Sequence, residues 1–236
     1  MASTKPGTKR TPTRGATLAV FSVAVGVAAA LIASALLLHK HKAPAPQTSP
    51  GVSLVGIPQS GRQLGHPDAR VTLIEFADPQ CPACRYYTLN VYPRLVKQYV
   101  RTGKVKMRFH GFPFIGADSV TGLRFIFAAG LQDRLWQLEE ALYRYQGTEN
   151  SGWLTNDLVR QLARKIPGLD VGKLVKDAKS PEVTSMITRD LRDVRNSGIN
   201  STPTVFIQIG GQKPYALQNP LDLALMRAAL ADALKG

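Results

Sequence analysis

The stretch Val71-Thr72-Leu73-Ile74-Glu75-Phe76-Ala77-Asp78-Pro79-Gln80-Cys81-Pro82-Ala83-Cys84 decides the fold. Its first six residues are apolar or β-branched except for Glu75, and Pro67-Asp68 and Asp78-Pro79 bound them, so they read as a buried strand. The two cysteines of the 236-residue chain follow at once, in one Cys-x-x-Cys motif. Pro82 suits an early position of a helix, where its missing N–H costs nothing. Two cysteines at a helix start can close a disulfide. The first lies over the free N–H groups of the first turn, which stabilise its thiolate. The thiolate is the form that attacks disulfides, so the motif reads as a thiol–disulfide redox centre. A zinc site needs about four ligands. Here His66 and His110 are the histidines available to the pair, and their spacing fits no zinc pattern, so no metal is expected. A purely structural bridge closing so short a loop would remove little entropy from the unfolded chain.

Working downstream, Tyr86, Leu89, Val91, Tyr92, Leu95, Val96 and Tyr99 give a helix with one apolar face, ending near Gly103 and kinked at Pro93. Lys104 to Phe109 alternates with period two and reads as a second strand, parallel to the first. A long helix is expected from Ala117 to about Gln146, then shorter ones over Thr155–Ile166 and Val171–Lys179. Pro181 opens another that closes at Gly198. Thr204 to Ile209 is a third strand, turned at Gly210-Gly211 toward a partner around Lys213–Leu217, and Leu221 to Ala233 forms a final helix. The order β-α-β, a helical block, then β-β-α describes an α/β thioredoxin fold with an inserted helical domain.

Upstream the composition changes. Residues 16–38 carry no charge over 23 positions, and about 20 suffice to span a bilayer as a helix. Lys5, Lys9, Arg10 and Arg14 precede this run and Lys40 and Lys42 follow it, so a cytoplasmic N-terminus is expected. The organisation is then a cytoplasmic tail over 1–15, a transmembrane anchor over 16–38, a Pro-rich linker over 39–61 and the redox domain over 62–236, its helical insertion at about 114–199. A cleaved signal peptide is the alternative, but its apolar core would be shorter. Val52 to Ile57 reads as a short edge strand. The redox domain thus lies outside the cytoplasmic membrane, where disulfides persist. The net charge of +14 divides into six cations in the first fifty residues and +8 over the remainder. Those cations are mixed with acids and form no basic aromatic array, so no nucleic-acid partner is expected.

Leu64-Gly65-His66-Pro67-Asp68-Ala69, the strand and motif through Cys84, and Gly198-Ile199-Asn200-Ser201-Thr202-Pro203-Thr204 together resemble the DsbA-like branch of the thioredoxin superfamily. Within that branch of extracytoplasmic disulfide oxidoreductases the chain is most similar to membrane-tethered members. The resemblance implies roles. Cys81 is the exposed nucleophile and Cys84 the resolving cysteine. Pro203 is the cis-proline facing the disulfide, rather than a trans-proline opening a strand. Thr202 then turns its backbone toward a substrate chain that pairs like an added strand, with Pro82 and Ala83 also at the contact. Glu75 is a buried acid that moves a proton to or from Cys84, with a pKa raised by desolvation. The competing reading puts Glu75 near the strand edge, reaching solvent or a lysine. Asp78 is expected in a loop or cap, and Arg85 in solvent. Ala83 stands where strongly oxidising members carry histidine, which implies a milder oxidant.

The resemblance also implies a redox-active Cys81–Cys84 disulfide without other cofactor, cysteine-containing extracytoplasmic substrates, and reoxidation by a membrane oxidase of the DsbB or VKOR type. A reductase or isomerase kept reduced by a membrane donor, and a peptide-binding chaperone module with incidental redox activity, are the alternatives.

Overall fold

The computed structural model describes residues 51–235. The expected tail, the anchor and residues 39–50 of the linker lie outside the described residues. Among the described residues, no helix is long and apolar enough to cross a membrane.

The expected buried strand is β3, Val71–Ala77, and every residue of it is buried. It is central because β4, Val105–Gly111, pairs with it in parallel on one side, and β5, Thr204–Ile209, pairs antiparallel on the other. Two short strands complete one edge, β1 Gln59–Ser60 and β2 Gln63–Leu64, and β6 Tyr215–Ala216 forms the other. The sheet order is β1-β2-β4-β3-β5-β6.

Between β3 and β4 runs the helix α1, built of an α-helical segment Pro82–Tyr86, a π-helical turn Tyr87–Val91, an α-helical turn Tyr92–Leu95 and a π-helical turn Val96–Val100. The expected break at Pro93 takes the form of this widening. In an unbroken α-helix the Pro93 ring would press on the Leu89 carbonyl. Here Tyr92 N–H instead reaches back five residues to the Tyr87 carbonyl, and the helix continues.

The helical insertion holds α2 Ala117–Gly130, α3 Leu135–Arg144, α4 Asn156–Ala163, α5 Val171–Asp177 and α6 Pro181–Asn196. The single long helix expected over 117–146 is therefore two. Asp133 takes a positive φ of 56° between them, and its Oδ1 accepts a 2.8 Å bond from Gly61 N–H. That bond ties the break to the β1–β2 turn. Thr155, Asp170 and Ser180 cap the following three helices through side-chain oxygens. Gly198 follows α6 at φ 65°, a conformation open to glycine without strain. The last helix, α7, spans Leu223–Ala233 and packs on β5.

The insertion shares its core with the sheet. Leu73, Met107 and Phe109 from the strands are fully buried in one cluster with Leu123, Phe127, Trp136 and Leu138 from α2 and α3. Each such side chain contributes about 2 kcal/mol by leaving water. Tyr92 of α1 stacks on Trp136 at 5.8 Å, and Phe109 meets Phe127 edge-on at 5.9 Å. The reading of 52–57 as a strand and of 51–61 as linker is corrected here. Leu54 and Ile57 are buried in the same cluster, with a turn rather than a strand between them, and β1 begins at Gln59. Two apolar residues in a Pro-rich setting were enough to dock the segment.

Candidate active site

β3 ends at Ala77, and the loop Asp78-Pro79-Gln80 hands the chain to α1. Cys81 is the N-cap residue, in extended conformation at φ −71° and ψ 120°. Its sulfur accepts the Cys84 backbone N–H at 3.4 Å, so the free donors of the first turn do face it. Both cysteines are free thiols in this structure. Cys81 retains 7% of its surface and Cys84 none. Pro82 is exposed and Ala83 half-buried beside them.

The peptide Thr202-Pro203 is cis, as the resemblance implies. It precedes β5, which runs antiparallel to β3, and so it arrives at the same end of the sheet as Cys81. The Cys81 thiol donates to the Thr202 carbonyl at 3.2 Å. The fold therefore joins Cys81 and Cys84 with Thr202 and Pro203, Cys81 and Thr202 lying 121 residues apart in sequence.

These contacts explain the acidity of the pair. The Cys81 pKa is lowered from 9.0 to about 6, above all by the Cys84 thiol hydrogen-bonded to its sulfur. The N–H groups of Cys84 and Ala83 act in the same direction, against the cost of burial. Burial, and the loss of its proton-bearing role toward Cys81, push Cys84 well above its usual value. The two thiols are chemically unequal, and the more acidic one is the more exposed.

Glu75 lies under this pair, in the middle of the sheet. Its neighbours in register are Phe109 and Val205, and 1% of its surface is exposed. The edge-strand reading, with Glu75 reaching solvent or a lysine, is thereby excluded. Its Oε1 has no hydrogen-bond partner, and burial raises its pKa from 4.5 to about 8. A second buried acid, Glu139 of α3, has its own pKa raised by burial first and by Glu75 next.

The sequence reading missed the clamp on the redox loop. Asp78 is fully buried, and its two carboxylate oxygens accept the N–H groups of Gln80 at 2.7 Å and Ile115 at 2.8 Å. Gln80, also fully buried, donates to Ser119 at 2.9 Å and accepts from Asn150 N–H at 2.7 Å. Gln146 donates to the carbonyls of Pro79 and Cys81 at 3.0 and 3.1 Å. The Tyr143 hydroxyl donates to the Asp78 carbonyl at 2.9 Å. Arg85 does not point to solvent; its Nε donates to the Tyr143 carbonyl at 2.9 Å. The insertion thus grips the loop from several sides. Two polar residues, Asp78 and Gln80, between a buried strand and the motif were the available signal for it.

His66 is exposed beside Asp68, and His110 sits at the end of β4, so neither joins the cysteines. His110, Asp190 and Asp193 bring their ligand atoms within 4.8 Å of one another. The Arg62 guanidinium already stands 2.6 Å from Asp190, and Gly111 N–H donates to it at 2.7 Å, so this acid fastens α6 to β4 and to the β1–β2 turn.

The sequence model of the family described as Thioredoxin matches residues 59–229. The chain belongs to the thioredoxin family, in its DsbA-like branch. It is a thiol:disulfide oxidoreductase. A probable disulfide bond formation protein D of Bacillus cereus is 33% identical over 177 residues, 74% of this chain and 79% of that protein. The disulfide bond formation protein D of Bacillus subtilis is 25% identical, over 73% of this chain and 77% of its own length. The crystal structure of oxidised BdbD from Bacillus subtilis superposes with a TM-score of 0.67 at 24% identity, covering 76% of this chain and 98% of that one. That of Chlamydia trachomatis DsbA gives 0.63 at 20% identity, covering 81% and 95%, a likeness of fold.

Proposed function

We propose that this DsbA-like oxidoreductase is an oxidase that passes its Cys81–Cys84 disulfide to folding proteins outside the cytoplasmic membrane. It is held there by the 16–38 segment and reoxidised by a membrane oxidase of the DsbB or VKOR type. One observation carries the direction. The Cys81 sulfur accepts the Cys84 backbone N–H at 3.4 Å at the start of α1, and its pKa falls to about 6. Whatever stabilises this thiolate stabilises the reduced pair, and so makes the disulfide the stronger oxidant.

The chemistry follows from the two unequal thiols. A substrate thiolate, laid along the Thr202-Pro203 backbone, attacks the Cys81 sulfur. The Cys81–Cys84 bond breaks, and its electron pair leaves on Cys84. Buried Cys84 cannot hold that charge, so Glu75, protonated at neutral pH, supplies the proton. A second substrate thiolate then attacks the mixed disulfide and expels Cys81 as a stable thiolate. Two substrate thiols become a disulfide, and Cys81 and Cys84 are left reduced. In the opposite direction Cys84 attacks the mixed disulfide and releases the partner.

Without a histidine before Cys84, the potential should fall between those of thioredoxin, about −270 mV, and DsbA, about −120 mV. Thiol trapping in growing cells tests the direction. A pair found mostly oxidised supports the oxidase. A pair found mostly reduced, with a potential at or below thioredoxin's, replaces it with a reductase or isomerase. A Cys81→Ser, Cys84→Ser double variant that keeps full activity would assign the fold to peptide holding instead.

A further inference from the structure

The outer face of α1 is charged in one sense only. Between Asp78 and Asp118 the chain carries Arg85, Arg94, Lys97, Arg101, Lys104, Lys106 and Arg108 and no acid. Arg94 and Lys97 fall on consecutive turns of α1, Arg101 is the capping residue at its end, and all three are exposed. Arg94 and Lys97 have no ion-pair partner among the described residues. The acids near them are engaged: Glu140 lies 2.6 Å from Arg144, and Asp222 caps α7 by accepting the N–H groups of Ala224 and Leu225.

The same cations line a cleft of about 730 Å³ whose other wall is Gly51, Val52 and Ser53. Arg101 fixes that wall, donating to the Val55 carbonyl at 3.0 Å and to the Ser53 carbonyl. The first described residues of the domain therefore sit on its basic face. Only residues 39–50 separate them from the uncharged 16–38 stretch, and twelve residues reach at most about 40 Å. Arg94 lies thirteen residues beyond Cys81, about 20 Å along a helix, so a surface held at Arg94–Arg101 leaves the sulfur clear at its edge.

We propose that the face of α1 from Arg94 to Arg101 docks on anionic phospholipid headgroups, laying the redox domain against the bilayer that anchors it. The inference rests on the membrane-anchored reading above. Charge complementarity and the place where the chain joins the domain both select a lipid surface over a polypeptide. Docking there holds Cys81 at the membrane, within reach of an integral-membrane oxidase.

The test uses the full chain reconstituted in vesicles of phosphatidylcholine, alone or with about 30% phosphatidylglycerol, the lipid that supplies the negative surface. Amine acylation read by mass spectrometry reports Lys97 against the exposed Lys176 of α5 and Lys213 of the β5–β6 loop. Lys97 labelling should fall about fivefold in the anionic vesicles alone, the weight of one cation at such a surface, and recover in high salt. Lys176 and Lys213 should not change. Arg94→Glu should restore Lys97 labelling in the anionic vesicles. Equal Lys97 labelling in both vesicles, from a chain that floats with both, overturns the docking while the anchor stands. A chain that floats with neither removes the anchor and the docking together. Equal labelling, combined with slower oxidation of an acid-flanked cysteine peptide by Arg94→Glu in detergent, assigns the cations to polypeptide and also overturns the lipid assignment.

Discussion

Replacing Glu75 by glutamine should change how stability depends on pH. Burial raises the Glu75 pKa from 4.5 to about 8, while in the unfolded chain the group returns to its ordinary value. The folded state therefore holds a proton that the unfolded state releases. The favourable contribution is complete below about pH 4.5 and is lost as pH rises to about 8, because the linkage slope follows the difference in bound protons. At 1.36 kcal/mol for each pH unit, the loss over that window is about 5 kcal/mol, comparable with the whole stability of many domains. Glutamine keeps the shape and does not ionise. The variant minus wild-type stability should thus climb with pH, from its value near pH 4.5 to about 5 kcal/mol above it at pH 8 and beyond. Cys81, whose pKa is lowered without any part from Glu75, titrates alike in both proteins and cancels to first order, whereas Glu139 loses in the variant the part of its rise that Glu75 causes. Urea unfolding of the reduced full chain in detergent, from about pH 4.5 to about pH 8.5 and followed by tryptophan fluorescence, measures it. The pH trend, not the absolute offset, decides the matter, since a buried amide adds a constant cost of its own. A difference that stays level within about 1 kcal/mol across that range would refute the buried-acid argument.

Three further outcomes are expected. The Cys84 thiol is the largest cause of Cys81 acidity, so Cys84→Ala should move the Cys81 thiolate transition upward from about 6, as read by ultraviolet absorbance against pH. Cys84→Ser should accumulate mixed disulfides through Cys81 on non-reducing gels, whereas Cys81→Ser should accumulate few; equal trapping would mean the two roles are misassigned. Gln146→Leu leaves the Pro79 and Cys81 carbonyls without their donor and should cost about 1–3 kcal/mol in denaturant unfolding.

The order of elements was legible because each carries a local signal. β3 is a run of buried residues between two Asp/Pro boundaries, β4 alternates, and α6 begins at a Ser180-Pro181 cap and ends at Gly198. The redox pair was legible because its chemistry needs only spacing and a helix start, both of which are local. What misled was equally local. Periodicity runs on through Leu131 to Arg134, but a hydrogen bond from Gly61, 72 residues away, holds Asp133 at positive φ and breaks the helix. Composition marked 51–61 as linker, yet Leu54 and Ile57 found a core built by distant elements.

By itself the sequence determined that Cys81 opens a helix behind a buried strand, and therefore that its thiolate is favoured. It also determined that an acid, Glu75, sits within that strand. Only the tertiary structure decided what those residues face. Antiparallel pairing of β3 with β5 carries Thr202-Pro203 to the Cys81 sulfur, and the shared core of sheet and insertion brings Gln146, Tyr143 and Asn150 onto the redox loop. The reason is physical. Helix starts and strand patterns depend on neighbours a few residues apart, whereas desolvation and hydrogen-bond partners depend on which distant segments share a place in space.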